Sequence, residues 1–381
     1  MQLLIVGACC AFLLVVALFA VFLMANNNNT SGGGNTSTGS DGTGGGGDYT
    51  GTNGGLRPSK FSMFGKTHYY QVPSNAKGTF MFLPGCARAA TGFWPYSSQA
   101  PECNGFPEDV SHTKQALRNG YAMFVPTPQN SNLCFTSENT EKLAPIIKEY
   151  LKLSGLGNKP LYLGGCSAGG GLAVRYHSYL KSNNPGFKFD GLLLECATSM
   201  NPTDDGRSVS DFPPTVWVCM ERDTSSIQEA KKYADAFKKA GKGVAVVVSP
   251  KRRITPEYFS NRMSSVTPAE SKQIVDALKV IGLVDGNGNV TADPHDFNKA
   301  GTKASGWMAK LKSKLPQKRE FALGTVRNSP LYQAMAVAYS QHDHIADYTT
   351  AAFKFFESGG KANMDDLLDK YTVANPASLT V

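Results

Sequence analysis

The residues best placed for chemistry surround one serine in the motif Gly-Cys-Ser-Ala-Gly at 165–169. The motif directly follows the apolar run 161–163 and directly precedes a helix-like stretch at 170–181. A serine in this position lies in a sharp turn between a strand and a helix. The turn strains the serine backbone and exposes its hydroxyl, and it leaves room only for small residues two positions before and after the serine. Gly165 and Gly169 meet that demand. The spacing predicts that Ser167 is a nucleophile for acyl transfer, with a glycine-rich nucleotide-binding turn as the alternative.

A serine nucleophile needs a base that takes its proton and a carboxylate that orients the base. Asp223 follows the strand-like run 215–220 and is the predicted carboxylate, although it could equally cap the next helix; Glu221 is the alternative. His342, at the start of a late loop-to-helix turn, is the predicted base, and His344 is the alternative. Four further histidines are predicted to be structural or surface residues: His68, His112, His177 and His295.

The negative charge that develops during acyl transfer needs backbone N–H donors. One donor is expected from the residue after the nucleophile, which is Ala168, and another from a loop after an earlier strand. That loop is 83–88, where Gly85 lets the chain turn close to a substrate. The sequence therefore predicts the second donor to be the N–H of Cys86, with Ala87 as the alternative.

Strands and helices alternate between residues 79 and 249. Short apolar runs predict strands, and the stretches between them carry apolar residues at three-to-four spacing. This alternation predicts an α/β protein with a doubly wound, mostly parallel sheet and helices on both faces, and 61–72 is expected to add antiparallel edge strands. Ligands bind such sheets at the carboxyl ends of the strands. The predicted strands are 79–83, 121–125, 161–163, 191–196, 215–220 and 244–249.

The loop Leu83-Pro84-Gly85-Cys86, the serine motif, Asp223 and His342 together resemble the α/β-hydrolase superfamily. Within it, the chain is most similar to secreted esterases of the polyester-depolymerase and feruloyl-esterase type. The resemblance spans 78–249 and 341–357, and it implies a serine that cleaves carboxylic esters through an acyl-enzyme without a cofactor. Pro84 departs from the family, whose members often carry histidine there. The long segment 250–339 before His342 is a second departure.

The segment 250–339 is predicted to be a helical lid insertion over the crevice, with helices near 271–281 and 306–315. Basic side chains surround its apolar residues at 307–315. Such a face is typical of contact with a lipid interface or an acidic polymer, and the alternative is a solvated helix packed on the core. The basic residues are Lys299, Lys303, Lys310, Lys312, Lys314, Lys318 and Arg319.

The chain divides by composition into three regions, of which the third is predicted to fold. Residues 1–25 are apolar and uncharged, long enough for a membrane-spanning signal-anchor, with a cleavable signal peptide as the alternative. Residues 26–57 are rich in Asn, Gly, Ser and Thr and are predicted to be a disordered stalk. Residues 58–381 are predicted to form the hydrolase domain. The protein is thus expected to be membrane-anchored with a luminal or extracellular domain, or secreted, and glycosylated at Asn28, Asn29, Asn35 and Asn289.

Six cysteines in the folded part, together with the leading apolar segment, predict an oxidising compartment. Cys103 and Cys134 lie in polar loop sequence and are the predicted disulfide. Cys196 and Cys219 lie in apolar strand-like runs and are predicted to be inert buried thiols. No paired cysteine or histidine spacing typical of a metal site occurs, so no metal is expected.

These observations favour a serine esterase, with polymeric and lipid esters as candidate substrates. A serine peptidase or amidase with the same triad is one alternative, because the triad residues do not set the leaving group. A catalytically inactive hydrolase fold used for adhesion is another. The net charge of +8 lacks an accompanying aromatic and basic motif, so nucleic acid is not an expected partner. The oligomeric state is left open.

Overall fold

One mixed sheet of eight strands runs through the part of the chain that the structure describes. The structure is a computed structural model, and it describes residues 55–183, 187–197, 208–318, 327 and 329–381. The predicted segment 1–25 and the predicted stalk up to residue 54 lie outside these residues, as do Asn28, Asn29 and Asn35. Within the described ranges, no helix combines the length and the apolar character that a membrane span requires.

The strands are β1 (Ser59–Met63), β2 (Lys66–Gln71), β3 (Gly78–Leu83), β4 (Tyr121–Val125), β5 (Leu161–Cys166), β6 (Gly191–Glu195), β7 (Thr215–Met220) and β8 (Val244–Ser249). They lie in the order β1-β2-β4-β3-β5-β6-β7-β8. β1 pairs antiparallel with β2, and β2 antiparallel with β4, whereas all other neighbours are parallel. This is the strand order of the α/β-hydrolase fold, so the predicted fold class and the predicted antiparallel edge are confirmed.

The helices are α1 (Pro107–Arg118), α2 (Thr140–Ser154), α3 (Ala168–Asn183), α4 (Thr224–Lys239), α5 (Tyr258–Arg262), α6 (Pro268–Val280), α7 (Trp307–Lys314), α8 (Pro330–Tyr339), α9 (Thr349–Glu357) and α10 (Met364–Tyr371). Their boundaries follow local signals. Pro107 opens α1, and a capping box between Thr267 and Glu270 opens α6. Gly155 ends α2 in the left-handed conformation that favours glycine.

The central strands are buried on both faces because helices cover both. Successive residues of a strand point to opposite faces. Accordingly, Phe80 and Phe82 belong to one apolar cluster, which includes residues of α9, while Met81 and Leu83 belong to another, which includes residues of α2, α3 and α4. Strands β3 to β7 are therefore apolar along almost their whole length and place polar groups only at their ends.

The segment 250–339 contains α5 to α8 and has an apolar core of its own. Trp307, Met308 and Leu311 of α7 are buried in that core. The apolar face of α7 is therefore packed inside the segment, as in the alternative interpretation of its pattern, and is not available to a lipid surface. Arg262 joins the segment to the sheet region, since its Nε donates to Glu108 Oε1 at 2.8 Å and its Nη2 to Asp347 Oδ1 at 2.7 Å.

Candidate active site

Ser167 occupies the turn between β5 and α3 in a backbone conformation that serine rarely adopts, with φ of 52°. Its N–H donates to Glu195 O on β6 at 2.9 Å, and its carbonyl accepts from Gly171 N at 2.9 Å. A Cβ on Gly169 would lie 2.0 Å from Leu83 O, and one on Gly165 would lie 2.7 Å from the carbonyl carbon of Gly169. The strained turn thus depends on both glycines, as the spacing predicts.

Ser167, His342 and Asp223 form a continuous hydrogen-bonded chain. His342 Nε2 lies 2.9 Å from Ser167 Oγ, and His342 Nδ1 lies 2.9 Å from Asp223 Oδ2. The side chain of His342 is 47% exposed, whereas that of Asp223 is 7% exposed. Because Asp223 accepts at Nδ1, that nitrogen carries the proton and leaves Nε2 free to accept the serine hydroxyl proton.

Asp223 is held as an ionised carboxylate. It caps α4 by accepting from Ser226 N at 3.3 Å, and it also accepts from Ser225 Oγ at 3.1 Å and Ser226 Oγ at 2.6 Å. Burial would raise the pKa of Asp223, but the hydrogen bonds from His342 and Ser226 outweigh it and lower the pKa to about 2. One aspartate therefore both caps the helix and orients the histidine, so the two interpretations of its sequence position do not compete.

Glu221, the alternative carboxylate, lies away from the histidine. Its carboxylate accepts from Lys251 N at 2.8 Å and lies 3.4 Å from Lys251 Nζ at the surface. The reason is a turn after β7: Asp223 N donates to Met220 O at 3.0 Å, and this turn brings Asp223, three residues beyond the strand, to His342.

Both ring nitrogens of His344, the alternative base, have hydrogen-bond partners other than Ser167. Its Nδ1 lies 2.6 Å from Asp109 Oδ1, and its Nε2 accepts from Gly85 N at 3.1 Å. The imidazole is buried against the rings of Phe82 and Phe93. Burial lowers the pKa of His344, but the Asp109 carboxylate outweighs it and raises that pKa. The hydrogen bond that Nε2 accepts from Gly85 is nevertheless one that only the neutral ring can make, so His344 fixes the loop after β3.

Backbone N–H groups remain available at both predicted oxyanion positions. In the loop after β3, Gly85 N donates to His344 and Ala87 N donates to Leu133 O at 3.1 Å. Among the described residues, the N–H of Cys86 and the N–H of Ala168 have no acceptor. These are the two predicted oxyanion donors, and the alternative donor Ala87 is occupied.

The predicted disulfide between Cys103 and Cys134 is wrong. Cys134 bonds Cys86, with Cα atoms 4.1 Å apart, while Cys103 is a buried free thiol on the apolar core. The two bonded residues lie in the loops that follow β3 and β4, which are parallel neighbours, and this adjacency was the signal that could have found the pair. Cys196 and Cys219 are buried free thiols, as predicted.

Several buried charges that support this site were not found from the sequence. Arg88 forms two hydrogen bonds to the Asp343 carboxylate, at 3.1 Å and 3.0 Å, which fixes the residue between the two histidines. Glu195 Oε2 accepts from Ile345 N at 3.1 Å. Each of these contacts joins residues more than a hundred positions apart, so no local sequence pattern predicts it.

A cavity of about 170 Å³ opens beside Ser167. Three residues of the segment 250–339 line this cavity: His295, Arg327 and Tyr332. His295, predicted to be a structural or surface residue, thus lies at the site. The other three histidines named with it have structural hydrogen bonds. The remaining walls of the cavity are Gly85, Cys86, Ala87, Arg88, Cys166, Ser167, His342, Asp343 and His344.

One group of potential metal ligands occurs among the described residues, consisting of Cys196, Asp223 and His342, whose donor atoms lie within 4.8 Å of one another. A metal there would compete with the hydrogen bond between Asp223 and His342 Nδ1. Cys196 Sγ is turned toward Asp343 O at 3.5 Å. In this group, Asp223 and His342 are therefore hydrogen-bonded to each other, and Cys196 is a neighbouring thiol with a different partner.

No protein-family model matches the chain, and no curated protein matches it. Among solved structures, it is similar to carboxyl esterase 2 of Tuber melanosporum, with 15% identity, a TM-score of 0.37 and coverage of 53% of this chain and 78% of that one. It is also similar to a hormone-sensitive lipase from a metagenome library, with 12% identity, a TM-score of 0.36 and coverage of 51% and 74%. A sugar hydrolase of Lactococcus lactis has 18% identity, a TM-score of 0.36 and coverage of 57% and 91%. Likenesses this distant carry no argument about activity.

Proposed function

We propose that this protein is a serine hydrolase that cleaves carboxylic esters, with Ser167 as nucleophile, His342 as base and Asp223 as the carboxylate that orients His342. The observation that carries the proposal is the hydrogen-bonded chain from Asp223 through His342 to Ser167, in which each link measures 2.9 Å. These distances lie within the range that proton transfer between a nucleophile and its base requires.

The reaction begins as Ser167 Oγ attacks the ester carbonyl carbon and its proton moves to His342 Nε2. Asp223 keeps its hydrogen bond to Nδ1 and stabilises the imidazolium. The carbonyl oxygen becomes an oxyanion, which the N–H groups of Cys86 and Ala168 bind. His342 then returns the proton to the leaving alkoxide, and an acyl group remains on Ser167. Water attacks this acyl-enzyme by the same steps and releases the acid.

The partial exposure of His342 supports this role, because the base must reach both Ser167 and a leaving group that arrives from solvent. The complete triad argues against a catalytically inactive adhesion protein. A peptidase or amidase would use the same groups and differ only in the leaving group. No contact among the described residues favours an amide, so the ester remains our assignment.

The site is proposed to work outside the cytosol, in a secreted or membrane-anchored protein. The disulfide between Cys86 and Cys134 supports an oxidising compartment. The Asn289 sequon gives little support for glycosylation. Its side-chain amide donates to Asp285 Oδ2 at 3.1 Å, and a glycan on that nitrogen would break this hydrogen bond.

Labelling with a fluorophosphonate probe tests the proposal. The wild-type protein should be labelled, Ser167→Ala should not, and Ser313→Ala, which removes an exposed hydroxyl on α7, should be labelled like the wild type. Hydrolysis of p-nitrophenyl acetate and of the matching p-nitroacetanilide then separates esterase from amidase activity. Labelling that persists in Ser167→Ala, or no labelling of the wild type, would contradict the proposal.

A further inference from the structure

Tyr332 lines the active-site cavity and carries a buried hydroxyl that has no partner among the described residues. Tyr332 is 2% exposed, and its hydroxyl has no hydrogen-bond partner among the described residues. Leaving such a group unpaired costs free energy, so an unpaired hydroxyl beside a cavity indicates a ligand that completes it. The Tyr332 ring is fixed edge-on against His295, with centroids 5.5 Å apart, and against Phe297, with centroids 6.0 Å apart.

The unpaired charge near this hydroxyl favours an anion, because the nearby Asp293 carboxylate is paired with His295 Nδ1 at 2.7 Å. Arg327 lines the same cavity, lies over the Phe297 ring at 5.9 Å and pairs with no carboxylate within the described part of the chain. Arg88 is also cationic, but Asp343 neutralises it. The Asp343 carboxylate is in turn saturated by Arg88 and by the N–H of His344, so it offers little to a ligand.

Tyr332 keeps its proton and can therefore donate it. Burial, followed by the nearby Asp343 carboxylate, raises the pKa of Tyr332 well above its usual value, against the opposing effect of Arg327. A protonated hydroxyl and a guanidinium are both donors, and together they match the two acceptor oxygens of a carboxylate.

We propose that the cavity binds a carboxylate group of the substrate, so that the enzyme prefers esters that carry a carboxylate near the scissile bond. The Tyr332 hydroxyl and the Arg327 guanidinium hold that carboxylate while Ser167, which lines the same cavity, attacks the ester. This inference rests on the proposed function and narrows it to a class of substrate.

Two pairs of small esters test the preference on either side of the scissile bond. Monomethyl succinate and its neutral analogue methyl 4-oxopentanoate place the carboxylate in the acyl part, and methanol release reports their hydrolysis. Carboxymethyl acetate and 2-oxopropyl acetate place it in the alcohol part, and acetate release reports theirs. We expect kcat/KM to favour the charged ester at least tenfold in one pair, mainly through a lower KM, because a hydrogen bond to a charged group contributes that much.

Tyr332→Phe removes the hydroxyl and keeps the ring, so the selectivity for the charged ester should fall about tenfold. Arg327→Gln should lower it as well. The matched control is Tyr176→Phe, because Tyr176 also carries a buried, unpartnered hydroxyl but lies on α3 away from the cavity; its selectivity should equal that of the wild type.

The outcomes separate this inference from the proposed function. If neutral esters are cleaved by Ser167 but neither charged ester is preferred, the carboxylate site is wrong and the esterase assignment stands. A preference that Tyr332→Phe and Tyr176→Phe both retain would also overturn the site. If no ester is cleaved and the fluorophosphonate probe fails to label Ser167, the proposed function itself is wrong.

Discussion

The carboxylate–histidine pairs Asp223–His342 and Asp109–His344 both lie at the cavity beside Ser167, and their surroundings give them different roles. In both pairs the histidine Nδ1 faces an aspartate, at 2.9 Å in Asp223–His342 and at 2.6 Å in Asp109–His344. His342 is half-exposed and its Nε2 faces a hydroxyl, whereas His344 is 2% exposed and its Nε2 accepts the Gly85 N–H. The first ring is free to gain a proton, while the second would lose a backbone hydrogen bond if it did.

The partner of Nε2 decides the role of such a pair. A buried pair that ends on a backbone N–H is a fixed support, and here it supports the loop that carries the Cys86 donor. A half-exposed pair that ends on a serine hydroxyl can move a proton in each direction of the reaction.

His342→Gln should have the greatest effect on activity. It removes the proposed base, so kcat should fall about 10⁴-fold while the melting temperature stays close to that of the wild type. Steady-state kinetics and thermal melts measure the two quantities. A variant that retains more than a tenth of the wild-type kcat would show that the two pairs do not differ in the way described.

His344→Leu should affect stability first. Among the described residues, it leaves the buried Asp109 carboxylate with Gln333 Nε2, at 3.3 Å, as its one hydrogen-bond donor, so the free energy of unfolding should drop by about 3–5 kcal/mol. His344→Gln can still accept from Gly85, and it should retain more activity than His344→Leu.

The pH–rate profile provides the decisive readout for these His344 variants. Because His344 is not the proposed base, the acidic limb of kcat for His344→Gln should coincide with that of the wild type. A shifted limb would indicate that His344 takes part in proton transfer, and the contrast between the pairs would fail.

The disulfide holds the same loop that His344 supports, from its other side. Cys134→Ala should lower the free energy of unfolding by about 2–4 kcal/mol, because the unfolded chain gains the freedom of a loop of 48 residues. It should also lower kcat, since the Cys86 N–H loses its anchor. Cys103→Ala, which removes a buried free thiol, is the control and should leave kcat within twofold. Chemical denaturation and kinetics of both variants decide the point.

The smallest expected effect concerns the pH dependence of Asp223. Its pKa is lowered from 3.8 to about 2, so the ionised form stabilises the folded state above the unfolded pKa, and this contribution of about 2 kcal/mol is lost as pH falls from about 5 to 2. Asp223→Asn has no ionisable carboxylate and therefore lacks this contribution to stability. The stability difference between wild type and Asp223→Asn, from urea unfolding, should therefore shrink over that range; a constant difference would contradict the assignment.

Much of the fold was readable from local patterns. The continuous apolar runs of β3 to β7 predict buried parallel strands, and their boundaries agree with the structure to within a few residues. The serine turn was equally readable, because the Gly-x-Ser-x-Gly spacing is a local steric requirement. The disulfide was not: loop polarity pointed to Cys103, and only the pairing of β3 with β4 brings Cys86 to Cys134.

Local sequence accounts for the strained turn at Ser167, its small neighbours and the strand ends at which Ser167 and Asp223 lie, because steric strain acts between residues close along the chain. The tertiary structure decided which histidine faces the serine, which N–H groups stay free and which residues of the segment 250–339 line the cavity. These depend on contacts such as Gly85 with His344 and Arg88 with Asp343, each more than 250 positions apart. Burial and hydrogen-bond partners at such separations arise only when the sheet is assembled.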